Sequence, residues 1–324
     1  MTNVEERITN DVWHDVWHRR LAGEEGPSFV FVRWVAGLTV YKFRDKTLIG
    51  MIHLPALPGC ARHEMPIDAI IDRAVGEAVV LAGAGFDALV IENFGDVPFA
   101  RDALPPASLA CMAVVADHVR QAVSIPIGIN ALRNDARGAL GVAAAAGAAF
   151  IRVNVHVGVA ATDQGVIEGQ AHQTLAYRKL LSKDIAILAD VFVKHAAPMH
   201  TTDIVLAARD AAYRGLADGL IVTGPATGSA VDRDDLTRVK QAVPDRPVLA
   251  GSGVTADTVA SLLQSCDGAI VGSALKPNND PSRPVDASLA QSVAQAAGRK
   301  RGQVDLFTSS IAQAKACGSD SREI

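Results

Sequence analysis

Eight short runs rich in Val, Ile and Leu recur between residues 47 and 275, and alanine-rich stretches long enough for helices separate them. The runs are TLIGMIHL (47–54), ALVIENF (88–94), PIGINAL (126–132), FIRVNVHV (150–157), IAILADVFV (185–193), GLIVTG (219–224), PVLAGSGV (247–254) and GAIVGSAL (268–275). Apolar runs of this length bounded by turn residues read as buried strands, and strands alternating with helices form a parallel sheet. A unit of roughly 30 to 40 residues repeated eight times matches a (β/α)8 barrel. The doubly wound sheet is the rival, weakened by the strand count and by the absence of a GxGxxG turn behind the first run. The expectation is therefore α/β: a single-domain TIM barrel over 46–298, with an N-terminal extension (1–45) and a polar C-terminal tail (299–324).

The extension holds all three tryptophans, Trp13, Trp17 and Trp34, and a doubled DVWH. It reads as a cap on the barrel's bottom, a subunit contact or the product of an upstream start codon. A net charge of −4 over 324 residues leaves no basic footprint for nucleic acid, so any anion must be held by a local site. Cys60, Cys111, Cys266 and Cys317 are scattered without metal-ligand spacing, which fits a reducing compartment. The charged N-terminus lacks the apolar core of a secretory signal, and no run reaches the length of a membrane span. A cytoplasmic homo-oligomer acting on a small molecule is expected.

The seventh and eighth runs end in LAGSGV and IVGSALK. In barrels of this kind the loops after these strands often hold a phosphate on backbone N–H groups. Glycine lets an anion approach the backbone and serine adds a donor, so Ser252, Gly253, Gly272 and Ser273 are the candidate phosphate-binding residues. Relief of crowding at a strand end is the alternative for either motif alone. TGPATGS (223–229) is a third glycine turn bordering the same region.

Active sites of this fold lie at the C-terminal ends of the strands. These ends supply His53, Glu92, Asp190, Lys194 and His195 as candidate catalytic groups, with Asn93, Asn130, Arg152, Asn154, Thr223 and Gly224 as candidate substrate-binding groups. The period of two in a strand puts Asp190, Phe192 and Lys194 on one face, and Arg152, Asn154 and His156 on another. Burying ionisable groups is costly unless they are paired, so a purely structural protein would gain little from assembling so many there. Alternatives stay open: Asp190 and Lys194 could form a structural ion pair, His53 could cap a turn, and Lys194 could be a Schiff-base nucleophile or a point charge for phosphate. No cofactor is required by the sequence; His53, Glu92, His156, Asp190 and His195 are ligand types suited to a divalent metal, but their spacing does not call for one.

IGMIHLPALPG (49–59), VIENFGDVPF (90–99), PIGINALRNDA (126–136), FIRVNVHVG (150–158), DQGVIEGQAH (163–172) and ADVFVKHAAP (189–198), with the two glycine–serine motifs, resemble the BtpA/SgcQ family from about residue 47 to about 295. The resemblance implies a TIM-barrel-like fold and a family named for a photosystem I biogenesis factor associated with thylakoid membranes. It also carries Asp96, Arg133, Asn134, Asp163, Glu168, His172 and Lys276 into the family pattern. Phe192 stands where relatives usually have histidine and Ala176 where they usually have arginine, which puts any metal or proton shuttle at the first position in doubt. The family name brings no settled reaction. The expected function is an enzyme of isomerase or aldolase/lyase type acting on a small phosphorylated sugar or nucleoside-derived metabolite. The alternative is a non-catalytic membrane-complex assembly factor, peripherally associated with the membrane.

Overall fold

The computed structural model describes residues 41–224 and 230–299. The tryptophan-bearing segment, the end of the third glycine turn and the polar tail lie outside the described residues. All eight expected strands form and close into one parallel barrel: β1 (Thr47–His53), β2 (Ala88–Glu92), β3 (Ile127–Asn130), β4 (Phe150–Val153), β7 (Ala186–Asp190), β9 (Gly219–Val222), β10 (Val248–Ala250) and β11 (Gly268–Val271), with β11 hydrogen-bonded back to β1. The remaining strands, β5 (Val159–Thr162), β6 (Gly165–Glu168) and β8 (Ala196–Pro198), form a separate antiparallel sheet in the order β6-β5-β8. This small sheet is absent from the sequence expectation, because VAAT, GVIE and AAP are short and lack a sustained apolar run.

Helices α1 (Ile67–Ala84), α2 (Pro106–Ala122), α3 (Ala136–Ala146), α4 (Ala171–Leu181), α5 (Ile204–Arg209), α6 (Arg233–Ala242), α7 (Val259–Ser265) and α8 (Ala287–Ala296) lie between and after the barrel strands. Aspartates begin several of them: Asp135, Asp203, Asp232 and Asp286 each accept a backbone N–H of the first turn, satisfying donors the helix cannot pair itself. Gly85 and Gly147 follow α1 and α3 in the left-handed conformation that ends a helix without Cβ strain. Among the described residues no helix is long and apolar enough to cross a membrane.

Strand alternation divides the core into two layers. Outward-facing residues such as Leu48, Ile52, Leu89, Ile91 and Leu220 pack under the helices. Ile49, Met51, Val90, Phe150, Leu188, Ile221, Leu249 and Ile270 point into the barrel and fill it. Phe150 needs the space left by Gly128 on the neighbouring strand, where a Cβ would sit 2.2 Å from its ring. Tyr41 and Phe43 complete the apolar plug against Phe150, with ring centroids 6.4 and 5.1 Å away. A barrel filled this way is solid below, so within the barrel a ligand must sit above the last apolar layer.

Candidate active site

The parity that points Ile49, Met51, Val90, Phe150, Leu188, Ile221, Leu249 and Ile270 inward carries on at the C-terminal ends of their strands. Two residues beyond the last apolar member, the inward positions become His53, Glu92, Asn130, Arg152, Asp190, Thr223, Gly251 and Gly272. The barrel is therefore roofed by a polar ring. Above it is a small cavity of about 30 Å³, with Met51 and Ile270 beneath, lined by His53, Glu92, Arg152 and Lys194 and by Gly251–Val254, Gly272 and Ser273.

Two hydrogen-bonded groups organise this ring. Asn130 Nδ2 donates to Glu92 Oε2 at 2.5 Å, and Glu92 Oε1 lies 3.7 Å from His53 Nε2. Next to them, Arg152 donates through Nε and Nη2 to both oxygens of Asp190 at 3.0–3.3 Å, and Asn154 Nδ2 adds a 2.6 Å bond to Asp190 Oδ2. Burial opposes the charge of Arg152, but the Asp190 and Glu92 carboxylates outweigh it and hold its pKa above the ordinary arginine value. Burial pushes Lys194 below the usual lysine range; Glu92 and Asp190 partly offset this, and Arg152 and Arg133 reinforce it. His53 is held well below the ordinary histidine value, first by burial and then by Lys276, Lys194, Arg152 and Arg73. The cavity thus presents a neutral imidazole, a carboxyl oxygen, a guanidinium and an amine whose pKa burial lowers.

The glycine–serine loops face these groups. Gly253 has a φ of +64°, which favours glycine, and Gly272 lies so close to His53 that a Cβ would come 3.2 Å from the imidazole Cε1. At Gly251 a Cβ would sit 2.3 Å from Ile221 Cγ2, so packing between strands also demands glycine there. Ser252 Oγ accepts from the Gly224 N–H at 2.6 Å, and Thr223 Oγ1 donates to the Phe192 carbonyl at 2.8 Å. Gly224 thereby ties the sixth strand end to the seventh, and Thr223 ties it to the fifth. Ser273 starts a 3-10 turn, Ser273–Leu275.

Other strand-end residues turn elsewhere. The ladder of β4 stops at Val153 and that of β7 at Asp190, earlier than the runs FIRVNVHV and IAILADVFV suggest. Past those points the period of two lapses. His156 leaves the face of Arg152 and Asn154 and bonds the Gly215 carbonyl through Nε2 at 2.7 Å. His195, adjacent to the cavity residue Lys194, is exposed with a φ of +58°. Asn93 is fully buried and spends its amide on loops, donating to Asp96 Oδ2 and the Leu132 carbonyl and accepting from the Leu132 N–H at 2.7 Å. Asn134 links the third and fourth strand ends through the Val155 backbone, and Arg133 Nη2 donates to the Lys194 carbonyl at 2.7 Å. Lys276 is buried beneath the last loop, paired with Glu77 at 3.0 Å, and Glu77 is also held by Arg73 at 2.9 Å. The sequence signal for that pair was an acid on the apolar face of α1, four residues after Arg73. Among the described residues no group of three His, Cys, Asp or Glu gathers as ligands of an ion.

A family model described as the BtpA family matches residues 44–299. The photosystem I biogenesis protein BtpA of Synechocystis is 46% identical over 239 residues, covering 74% of this chain and 83% of the relative. An uncharacterized protein of Methanocaldococcus jannaschii is 44% identical over 257 residues, covering 79% and 97%. Among solved structures, "Native KDPGal structure" is similar with a TM-score of 0.50 at 16% identity, covering 80% of this chain and 97% of that one. At that identity the likeness speaks to the barrel fold alone.

Proposed function

The chain belongs to the BtpA family, and from that premise we propose that it is an enzyme of isomerase or lyase type acting on a small phosphorylated metabolite. One observation carries the reading: the two glycine–serine loops and the His53–Glu92–Arg152–Lys194 cluster line a single cavity. A phosphate seated on the backbone of Ser252–Gly253 and Gly272–Ser273 would hold the carbon skeleton beneath Glu92, so that binding energy remote from the reaction lowers its barrier. Glu92, fixed by Asn130, takes a proton from the carbon beside a carbonyl. The released electron pair moves onto the carbonyl oxygen, where the Arg152 guanidinium and Lys194 stabilise the negative charge. Return of the proton to the neighbouring carbon completes an isomerisation; in a lyase the same charge sink accepts the electrons of a breaking carbon–carbon bond. Asp190, with Arg152 and Asn154 bonded to it, orients the guanidinium.

The test is a thermal-shift screen of sugar phosphates, followed by solvent-deuterium incorporation into any compound that binds. A ligand at about a hundred times its dissociation constant stabilises the protein by about 2.7 kcal/mol. Stabilisation abolished by Ser252→Asp, with deuterium uptake abolished by Glu92→Gln, supports the enzyme. Borohydride reduction that fixes substrate to Lys194 selects a Schiff-base lyase. A second reading, a non-catalytic assembly factor, is favoured by the name of the Synechocystis relative. It gains if no phosphorylated compound shifts the melting temperature and Glu92→Gln behaves as wild type.

A further inference from the structure

His53 stands between two cavities. Its Cε1–Nε2 edge faces Gly272 and Glu92 in the inner one. The same side chain lines an outer pocket of about 250 Å³ together with Arg62, Arg73, Phe94, Val97 and Pro281. The imidazole is buried, yet its Nδ1 has no hydrogen-bond partner among the described residues. Unpartnered buried polar atoms are uncommon in folded proteins, and a ligand group reaching such an atom removes the cost of leaving it unmatched.

Charge sets the outer pocket apart. Two guanidinium groups line it, and among the described residues no Asp or Glu does. Arg73 is held in one orientation, with Nε donating to Glu77 Oε1 at 2.9 Å and Nη2 to the Ser282 carbonyl at 2.7 Å. Arg62 is exposed to solvent. Planar guanidinium groups match the geometry of carboxylate and phosphate oxygens better than any other side chain. Phe94, Val97 and Pro281 give the remaining wall an apolar surface that excludes water from such contacts.

We propose that the outer pocket is a second anion subsite of the same active site. The substrate is then an elongated metabolite with a phosphate on the glycine–serine loops, a second anionic group, carboxylate or phosphate, at Arg62 and Arg73, and its reacting carbons passing His53. This inference rests on the reading of the inner cavity as a phosphate site. The arginines select for length as well as charge.

Titration calorimetry on the full chain tests it with three probes: fructose 6-phosphate, fructose 1,6-bisphosphate and 6-phosphogluconate. The two probes with an anion at each end are expected to bind about tenfold more tightly than fructose 6-phosphate. Arg62→Ala narrows that ratio about fivefold, the scale of one exposed charge pair. Which two-ended probe gains more tells whether the second anion is phosphate or carboxylate. Equal affinity for all three, or an unchanged ratio in both Arg62→Ala and Arg62→Glu, overturns the second subsite and leaves the inner phosphate site standing, provided Ser252→Asp still weakens binding. If none of the probes binds, or binding is indifferent to Ser252→Asp, the inner reading falls and this one falls with it.

Discussion

Asn130 donates to Glu92 Oε2 across 2.5 Å, which leaves Glu92 Oε1 turned toward His53 Nε2 at 3.7 Å. One oxygen of the carboxyl group is fixed while the other faces the cavity. Replacing Asn130 with alanine leaves a buried oxygen without its donor and is expected to lower stability by about 1–3 kcal/mol in a denaturant titration. Asn130→Asp sets two carboxyl groups against each other, so one keeps its proton and its pKa rises. The carboxyl pair in that variant is expected to contribute a stability that falls as pH rises from acid toward neutrality, against the contribution of the buried histidines.

The pair of Arg152 and Asp190 is buried on both sides. Arg152→Met strands a carboxylate in the barrel and is expected to cost about 3–5 kcal/mol, whereas removing both charges recovers most of that loss. A double-mutant cycle by chemical denaturation reads the coupling. Coupling near zero would show that Asp190 is sustained by Asn154 alone.

Protonation links the site to stability. His53 and His156 have pKa values lowered chiefly by burial. As pH falls below about 6.5, the ordinary histidine value, the unfolded chain takes up protons before the folded one, so stability drops on the acid side and levels off above it. His53→Gln is expected to flatten part of that slope. The lowered pKa of Lys194 acts in the same direction on the alkaline side, with stability rising until the pH passes about 10.4, the ordinary lysine value. Lys194→Met is therefore expected to melt higher than wild type at neutral pH while losing affinity for phosphorylated ligands. A lower melting temperature would show that its attraction to Glu92 and Asp190 outweighs its burial.

Glu77 and Lys276 form a buried pair, and among the described residues Glu77 has a second hydrogen-bonded partner, Arg73, while Lys276 has no second carboxylate within ion-pair distance. Lys276→Met leaves Glu77 still held by Arg73, whereas Glu77→Gln leaves the fully buried Lys276 ammonium without a carboxylate. The second variant is expected to cost more, toward about 3–5 kcal/mol, in equilibrium unfolding.

At Gly272, where φ is −121° and ψ −93°, a methyl group would press on His53 Cε1 at 3.2 Å. Gly272→Ala is expected to cost about 1–3 kcal/mol of stability, as overpacking against the imidazole does, and to weaken phosphate-ester binding at least about tenfold. Unaltered binding would remove the eighth-strand loop from the phosphate site.

The eight strands were legible because each is a fully buried apolar run, and the period of two extended far enough to bring Glu92, Asn130, Arg152 and Asp190 inward with the apolar residues below them. The same rule failed for His156, which lies beyond Val153, where β4 has ended and backbone pairing no longer fixes which way a side chain points. The sheet of β5, β6 and β8 was illegible, since its strands are short and the β5–β6 hairpin is completed by β8 from a different loop.

By itself the sequence determined the barrel, its strand count and the inward parity of the ring that roofs it, because alternation along a hydrogen-bonded strand is a local property that buried apolar residues report directly. Only the tertiary structure decided which polar residues past the strand ends serve the cavity. Lys194 lines it while Asn93, His156 and Lys276 tie loops together, and the difference comes from contacts between loops distant in the chain, where each polar group goes to whichever partner satisfies it once water is gone.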